Sequence, residues 1–253
     1  MPISPTRFPY QEAELDEFRD LQRLAYDCAE HAAAGLRPGM TELHLALAFR
    51  QALAAAGLRE FAAAPAARIG ARTCGRGRPT RLAAGTAYQL DCAPLRGGRV
   101  AVVSYSGVLG ANPVWELLVQ ELAGHRELLL ARARSGATAE QLTAAAMELV
   151  EEQGYDRPAG PLLRPVRPHR PATGPLARAA RLLGHRAPAP PALAPGLCVL
   201  APRLGFRGIG VGFAELLVLT GDSACWLDDE LPHVRRAVRA SPESPSALAA
   251  PGS

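Results

Sequence analysis

The sequence contains no lysine, so every one of its 28 basic residues is an arginine. A Schiff base or an amine nucleophile requires the lysine ε-amino group, and this absence excludes both kinds of chemistry. Aromatic residues make up only 5% of the chain. Although the net charge is +4, no basic stretch is interleaved with aromatic residues, and we therefore do not expect nucleic-acid binding.

Cysteine is also scarce, and long hydrophobic runs are missing. The five cysteines are scattered, odd in number and without Cys-x-x-Cys spacing, which argues against both a disulfide framework and a zinc knuckle. No uncharged apolar run is long enough to predict a membrane span. The first residues lack the apolar segment of a signal peptide. Together these features predict a cytoplasmic protein with no membrane partner.

One segment of the chain occurs twice. Residues 37–57 (RPGMTELHLALAFRQALAAAG) align without a gap on residues 134–154 (RSGATAEQLTAAAMELVEEQG). Each copy has the pattern of a short turn, an N-capping threonine, a helix and a terminating glycine. A duplication of this size predicts a domain made of two related halves, with a cleft between them.

The pattern around each copy extends the repeat. Helical spacing of apolar residues predicts a helix from 15 to about 35 before the first copy, and another over 113–133 before the second. Strand-like stretches after the copies predict hairpins at 88–105 and 197–220. The sequence therefore predicts an α+β fold, in which two pseudo-symmetric helix-helix-hairpin halves surround a curved antiparallel sheet.

Composition sets the expected boundaries. Residues 1–13 form an irregular lead-in, 14–235 a single domain that divides after residue 112, and 236–253 a disordered tail. Residues 59–84, rich in alanine, arginine and glycine, are predicted to be a loop. Residues 157–195 form an insertion rich in proline and arginine.

The order of these elements resembles the family of methionine aminopeptidase, aminopeptidase P, prolidase and creatinase, whose fold is called pita-bread. The matching segments are 37–42 (RPGMTE), 85–91 (GTAYQLD), 194–197 (APGL) and 210–227 (GVGFAELLVLTGDSACWL). The resemblance extends over roughly residues 15–232. It implies a minimal version of the fold, without the large N-terminal domain of creatinases and prolidases.

The same resemblance implies a degenerate metal site. In active family members two aspartates, one histidine and two glutamates bind two divalent metals, which share the hydroxide that attacks the substrate amide. Asp91 matches the first aspartate. The other four positions correspond to Val102, Pro175, Ala201 (or Pro202 without a gap) and Ala214. Because a lone carboxylate binds a divalent ion poorly, no metal cofactor is expected.

Four residues are candidates for a metal-free catalytic or binding site. Asp91 is either a general base or substrate anchor, or the structural partner of an arginine. His185 matches a family histidine that donates to the substrate, or it is an exposed loop residue. Glu215 belongs to the site if the alignment shifts by one residue, which would give a mononuclear metal site of Asp91 and Glu215, with or without His185; otherwise it pairs with an arginine. Tyr105 offers a hydroxyl to the pocket, or it ends its strand.

Three functions remain open at the level of sequence. The first is a degenerate aminopeptidase P-like or creatinase-like pseudoenzyme. Its cleft would bind a small-molecule or peptide-like ligand or a partner, or would support metal-independent catalysis. The second is an active aminopeptidase or Xaa-Pro peptidase that hydrolyses C–N bonds with Mn, Co, Fe or Zn. The third is a structural or oligomerisation module. Since family members often dimerise, the resemblance also implies a homodimer.

Overall fold

The computed structural model describes residues 9–70, 80–134, 138–156, 163–166, 195–220 and 223–240. These residues form helices packed on antiparallel sheets, as the α+β prediction requires. Among them, no helix combines the length and the apolar character that a bilayer span needs.

The first half contains two helices and a sheet in which β2 is central. Its elements are α1 (Glu12–Ala34), α2 (Glu42–Ala55), β1 (Glu60–Ile69), β2 (Ala87–Arg96), β3 (Arg99–Val100) and β4 (Val103–Val108). The strands β1, β3 and β4 all pair antiparallel with β2. Leu45, Phe49 and Leu53 recur at helical spacing on α2 and are buried in the core of this half.

The second half repeats the order of two helices followed by strands. Its elements are α3 (Pro113–Arg134), α4 (Ala139–Glu152), β5 (Leu163–Pro165), β6 (Gly196–Leu200), β7 (Arg203–Phe206), β8 (Ile209–Gly212), β9 (Glu215–Leu219), β10 (Ala224–Trp226) and α5 (Pro232–Ala240). The strand order is β10-β9-β6-β5 in one sheet, and β7 pairs with β8 in another.

The two copies of the repeat adopt matching local structures. The backbone N–H of Thr41, at the N-cap of α2, donates to Nδ1 of His44 at 3.1 Å. Thr138 and Gln141 exchange the equivalent bonds before α4, at 2.8 and 3.2 Å. These reciprocal bonds satisfy N–H groups that the first helical turn leaves unpaired. The predicted N-caps are therefore confirmed in both copies.

The loop predicted over 59–84 is wrong in its first part, because residues 60–69 form β1. Small alanines and Pro65 hide the alternation that marks a strand, and two register shifts interrupt the pairing with β2. The strand forms because its backbone can pair with the edge of β2. Tertiary pairing therefore outweighs the weak strand propensity of the local sequence.

The second predicted hairpin is divided between two sheets. Residues 201–202 and 213–214 lie between strands, and the segment between them forms its own hairpin, β7–β8. Arg207 and Gly208 have φ of +50° and +83°, which is the geometry of a tight hairpin turn. The predicted turn is thus present, but its flanking strands are shorter than expected.

The last helix, α5, packs against α1 and α3 and extends beyond the boundary expected at residue 235. The rest of the expected tail, the lead-in up to residue 8 and most of the Pro/Arg-rich insertion lie outside the described residues.

Candidate functional site

Asp91 lies on β2 between two strands, opposite Ala66 of β1 and Ser104 of β4. Its Oδ1 accepts hydrogen bonds from Ser104 Oγ at 2.7 Å and Gln89 Nε2 at 3.1 Å. Its Oδ2 accepts a hydrogen bond from the guanidinium group of Arg68. Both carboxylate oxygens therefore have protein partners, while the side chain stays 24% exposed.

A second arginine reaches Asp91 from the other half of the chain. Arg203 begins β7, and its Nη2 lies 3.5 Å from Asp91 Oδ1. Across the hairpin it pairs with Gly212, where an added Cβ would lie 2.7 Å from Arg203 Cγ. Glycine at 212 therefore leaves room for the aliphatic stem of Arg203. Two guanidinium groups and one carboxylate meet between the two halves, and we call Asp91, Arg68 and Arg203 the cleft cluster.

The family resemblance assigns the other four ligand positions to apolar residues, and the structure brings three of these residues together. Val102, Ala201 and Ala214 belong to one hydrophobic cluster with Phe18 of α1. Pro175 lies outside the described residues. Within the part of the chain that the structure describes, no three His, Cys, Asp or Glu side chains are grouped so as to hold a metal ion. These residues do not fit a dinuclear metal centre.

Glu215 belongs to a different group of ion pairs from the cleft cluster, and this group lies inside the core. Arg126 of α3 donates to it from Nε and Nη2, at 2.8 and 2.9 Å. His233 of α5 lies 2.5 Å from Oε1 through its Nε2. Arg126 also contacts Asp229 at 2.8 Å and lies over the ring of Trp226. Glu215 is only 1% exposed, and its contacts are those of the structural alternative.

Electrostatics keeps the carboxyl of Glu215 ionised. Burial, the largest single influence, would raise its pKa, but the charge and hydrogen bond of His233 together with those of Arg126 outweigh it and lower the pKa. Because the folded-state pKa lies below the unfolded one, this group stabilises the fold above the unfolded pKa. That stabilisation is lost as the pH falls through the folded pKa.

Tyr105 does not face Asp91. It follows Ser104 on β4, and since neighbouring side chains of a strand point to opposite faces, it lies on the other side of the sheet. There Nη2 of Arg236 donates to its hydroxyl at 3.0 Å, and the same guanidinium lies over the Trp115 ring. His185, the fourth candidate, lies outside the described residues. The structure thus groups Asp91 with arginines rather than with Tyr105 or Glu215.

Sequence analysis did not single out Tyr26 and Gln22, whose side chains connect the sheet of the first half with the strands of the second half. We call the hydrogen bonds that Tyr26, Gln22 and Ser106 make between these two half-sheets the seam. The hydroxyl of Tyr26, on α1, donates to Ala214 O at 2.8 Å and accepts from Ala214 N–H at 3.1 Å. It also lies 3.2 Å from Ser104 O. Burial raises the pKa of Tyr26 far above its usual value, so its proton stays in place. Nearby, Ser106 Oγ exchanges two bonds with the backbone of Gly212, at 2.8 and 2.9 Å.

Gln22, one turn before Tyr26 on α1, completes this seam. Its Nε2 donates to Val102 O at 3.1 Å and to Ala214 O at 3.3 Å, while Leu216 N–H donates to its Oε1 at 3.4 Å. Side chains from α1 and β4 therefore provide hydrogen-bond partners for backbone groups on the facing edges of the two half-sheets. Without these side chains, the backbone groups would need direct hydrogen bonds from strand to strand. Two polar residues spaced four apart on the buried face of α1 were the sequence signal for this seam.

Comparisons with known proteins agree with this architecture. The model of metallopeptidase family M24 matches residues 16–186. No curated protein sequence matches the chain. The X-Pro aminopeptidase of Thermotoga maritima superposes with a TM-score of 0.67 at 16% identity, covering 87% of this chain and 62% of that one. The prolidase of Pyrococcus horikoshii gives 0.63 at 17% identity, covering 89% and 65%.

A third solved structure is described as zinc-substituted aminopeptidase P of E. coli in complex with product. It gives a TM-score of 0.66 at 15% identity, and the match covers 94% of this chain and 61% of that one. At these identities the likeness shows the fold alone, and it confirms the predicted pita-bread architecture. The chain spans less than two thirds of the length of the structures it matches.

Proposed function

The chain belongs to metallopeptidase family M24, and from this premise we propose that it is a degenerate member whose cleft binds a ligand without a dinuclear metal site. The cleft cluster carries the proposal. Asp91 is the one ligand position that the family resemblance retains, and Arg68 and Arg203 both form ion pairs with it. A guanidinium group competes for the carboxylate oxygens that a metal would need, and its charge repels a divalent cation.

The two catalytic alternatives, metal-dependent hydrolysis and metal-independent catalysis, have less support. An active Mn, Co, Fe or Zn hydrolase would need further donors from outside the described residues, and both arginines would have to leave Asp91. Metal-independent catalysis by Asp91 and Tyr105 together is disfavoured, because the two side chains lie on opposite faces of the sheet. Binding in the cleft requires neither rearrangement.

We expect the purified chain to release no N-terminal residue from Xaa-Pro peptides or other short peptides after incubation with Mn, Co, Fe or Zn salts. The physical reason is that a shared metal-bound hydroxide, which would attack the amide, has too few ligands to form. Peptide hydrolysis, followed by mass spectrometry, measures this directly. Asp91→Asn is the matched control, and it should give the same background as the wild-type chain. Turnover by the wild type that both EDTA and Asp91→Asn abolish would contradict the proposal.

A further inference from the structure

We propose that the chain associates with a second copy of itself through the outer face of α2. In this symmetric pair, two leucines of each copy enter a groove of the other copy. The surface shares no residue with the cleft cluster, so the proposal goes beyond the proposed function and does not depend on it.

Two exposed leucines lie one turn apart on α2. Leu43 is 68% exposed and Leu47 is 45% exposed, and the only other exposed large apolar side chain among the described residues is Leu117 of α3. Gln51 and Ala55 continue the same row at four-residue spacing and are also exposed. We call residues 43, 47, 51 and 55 the outer row. It contains no charged side chain, although it lies away from the face that α2 buries in the core.

A groove of about 600 Å³ runs beside the outer row, between α1 and α2. Small side chains line most of it, including Ala32 of α1 and Ala48 and Ala52 of α2. Gln51 and Ala55 belong both to the outer row and to the groove. Because the groove is lined mainly by alanines, leucine side chains of another molecule can enter it without displacing large groups.

The spacing of the outer row makes this surface self-complementary. In an antiparallel pair of α2 helices, with a twofold axis between residues 47 and 51, Leu43 of each copy lies opposite Ala55 of the other. Leu47 then lies opposite Gln51, and since a twofold interface repeats every contact, both grooves receive leucines. Rows of residues four apart are also the ridges that most often interdigitate between packed helices. A surface that carries both the leucines and the groove favours a second copy as its partner.

The polar and charged groups around the groove match in the same arrangement. Asp27 lines the groove and is exposed, and its carboxylate has neither an ion pair nor a hydrogen bond among the described residues. The contact of Cys28 Sγ with Ala52 O places Asp27 beside the C-terminal half of α2. Thr41 N–H donates to His44 Nδ1, so a neutral His44 carries its proton on Nε2 and can donate it outward. In the antiparallel pair, His44 of one copy faces the half of α2 beside which Asp27 of the other copy lies.

Sedimentation velocity of the full chain tests the proposal, and we expect the wild type to dimerise over a range of about 1–200 μM. Leu43→Glu and Ala55→Arg should each raise the dissociation constant at least about tenfold, because each places a charge against an apolar side chain at two symmetric contacts. Leu117→Glu is the matched control. It introduces the same charge at a similarly exposed leucine on another helix, and association should not change.

A mixture of the Leu43→Glu and Ala55→Arg variants tests the register. In the mixed dimer, one contact between positions 43 and 55 becomes an ion pair and the other stays as in the wild type. The mixture should therefore associate at least about tenfold more tightly than either variant alone.

Several results would overturn the proposal. One is a wild type that stays monomeric throughout the concentration range, as it would if another segment of the chain covered this face. The others are a dimer that neither substitution weakens, equal weakening by Leu117→Glu, and a mixture that associates no more tightly than its components. The wild-type measurement remains decisive even where a variant fails to fold.

Discussion

Replacing Arg126 by methionine should lower the free energy of unfolding by about 3–5 kcal/mol, because it breaks a buried ion pair and leaves the Glu215 carboxylate only partly compensated. Glu215 is almost fully buried, and Arg126 supplies two of its hydrogen bonds. With the guanidinium gone, His233 alone would balance a charge that the core cannot solvate. Urea denaturation at neutral pH, followed by circular dichroism, measures the loss.

The matched control is Arg235→Met, which makes the same chemical change at an exposed ion pair. Arg235 and Glu30 are 51% and 40% exposed and lie 3.4 Å apart, and exposed pairs contribute less than about 1 kcal/mol. The double variant Arg126→Met with Glu215→Leu should recover part of the loss, since it removes both buried charges. A loss at Arg126 no larger than that at Arg235 would show that the network contributes little.

Tyr26→Phe should cost about 2–4 kcal/mol, because its hydroxyl satisfies backbone groups on both edges of the seam. Removing the hydroxyl leaves Ala214 N–H and Ser104 O without this partner in a fully buried position. Gln22 can still donate to Ala214 O, which limits the loss. The free energy of unfolding, again from urea titration, gives the value.

Tyr155→Phe is the control for this substitution. Tyr155 is only partly buried, its ring meets Phe206 edge-on, and none of the hydrogen bonds found among the described residues uses its hydroxyl. We expect a change of less than about 0.5 kcal/mol at this position. If Tyr26→Phe lowers the free energy of unfolding no more than Tyr155→Phe does, the stability of the contact between the two half-sheets does not depend on this side chain of α1.

Local signals made the helices predictable. The capping threonines and the glycines that follow α2 and α4 act within a few residues, so the repeat at 37–57 and 134–154 identified both helices and the division into halves. Local signals failed at β1, where alanine and proline conceal a strand that forms only against β2. They failed again where the chain passes between sheets at 201–202 and 213–214.

Of the three residues in the cleft cluster, only Asp91 was singled out from the sequence. Asp91 follows from its position in a strand that resembles the family's, and the possibility of an arginine partner was open from the sequence. Which arginines they are could not be read from spacing, because Arg203 belongs to the other half and reaches Asp91 only through the fold. The same limit applies to Glu215, whose partners Arg126 and His233 come from two separate helices.

Metal content tests the central claim most directly. The purified chain and Asp91→Ala would be incubated with Mn, Co, Fe and Zn salts, freed of excess ions and analysed by elemental mass spectrometry. The account predicts background metal in both proteins, because Arg68 and Arg203 already form ion pairs with Asp91. About one or two metals per chain, lost on Asp91→Ala, would contradict it and restore the metal-dependent peptidase.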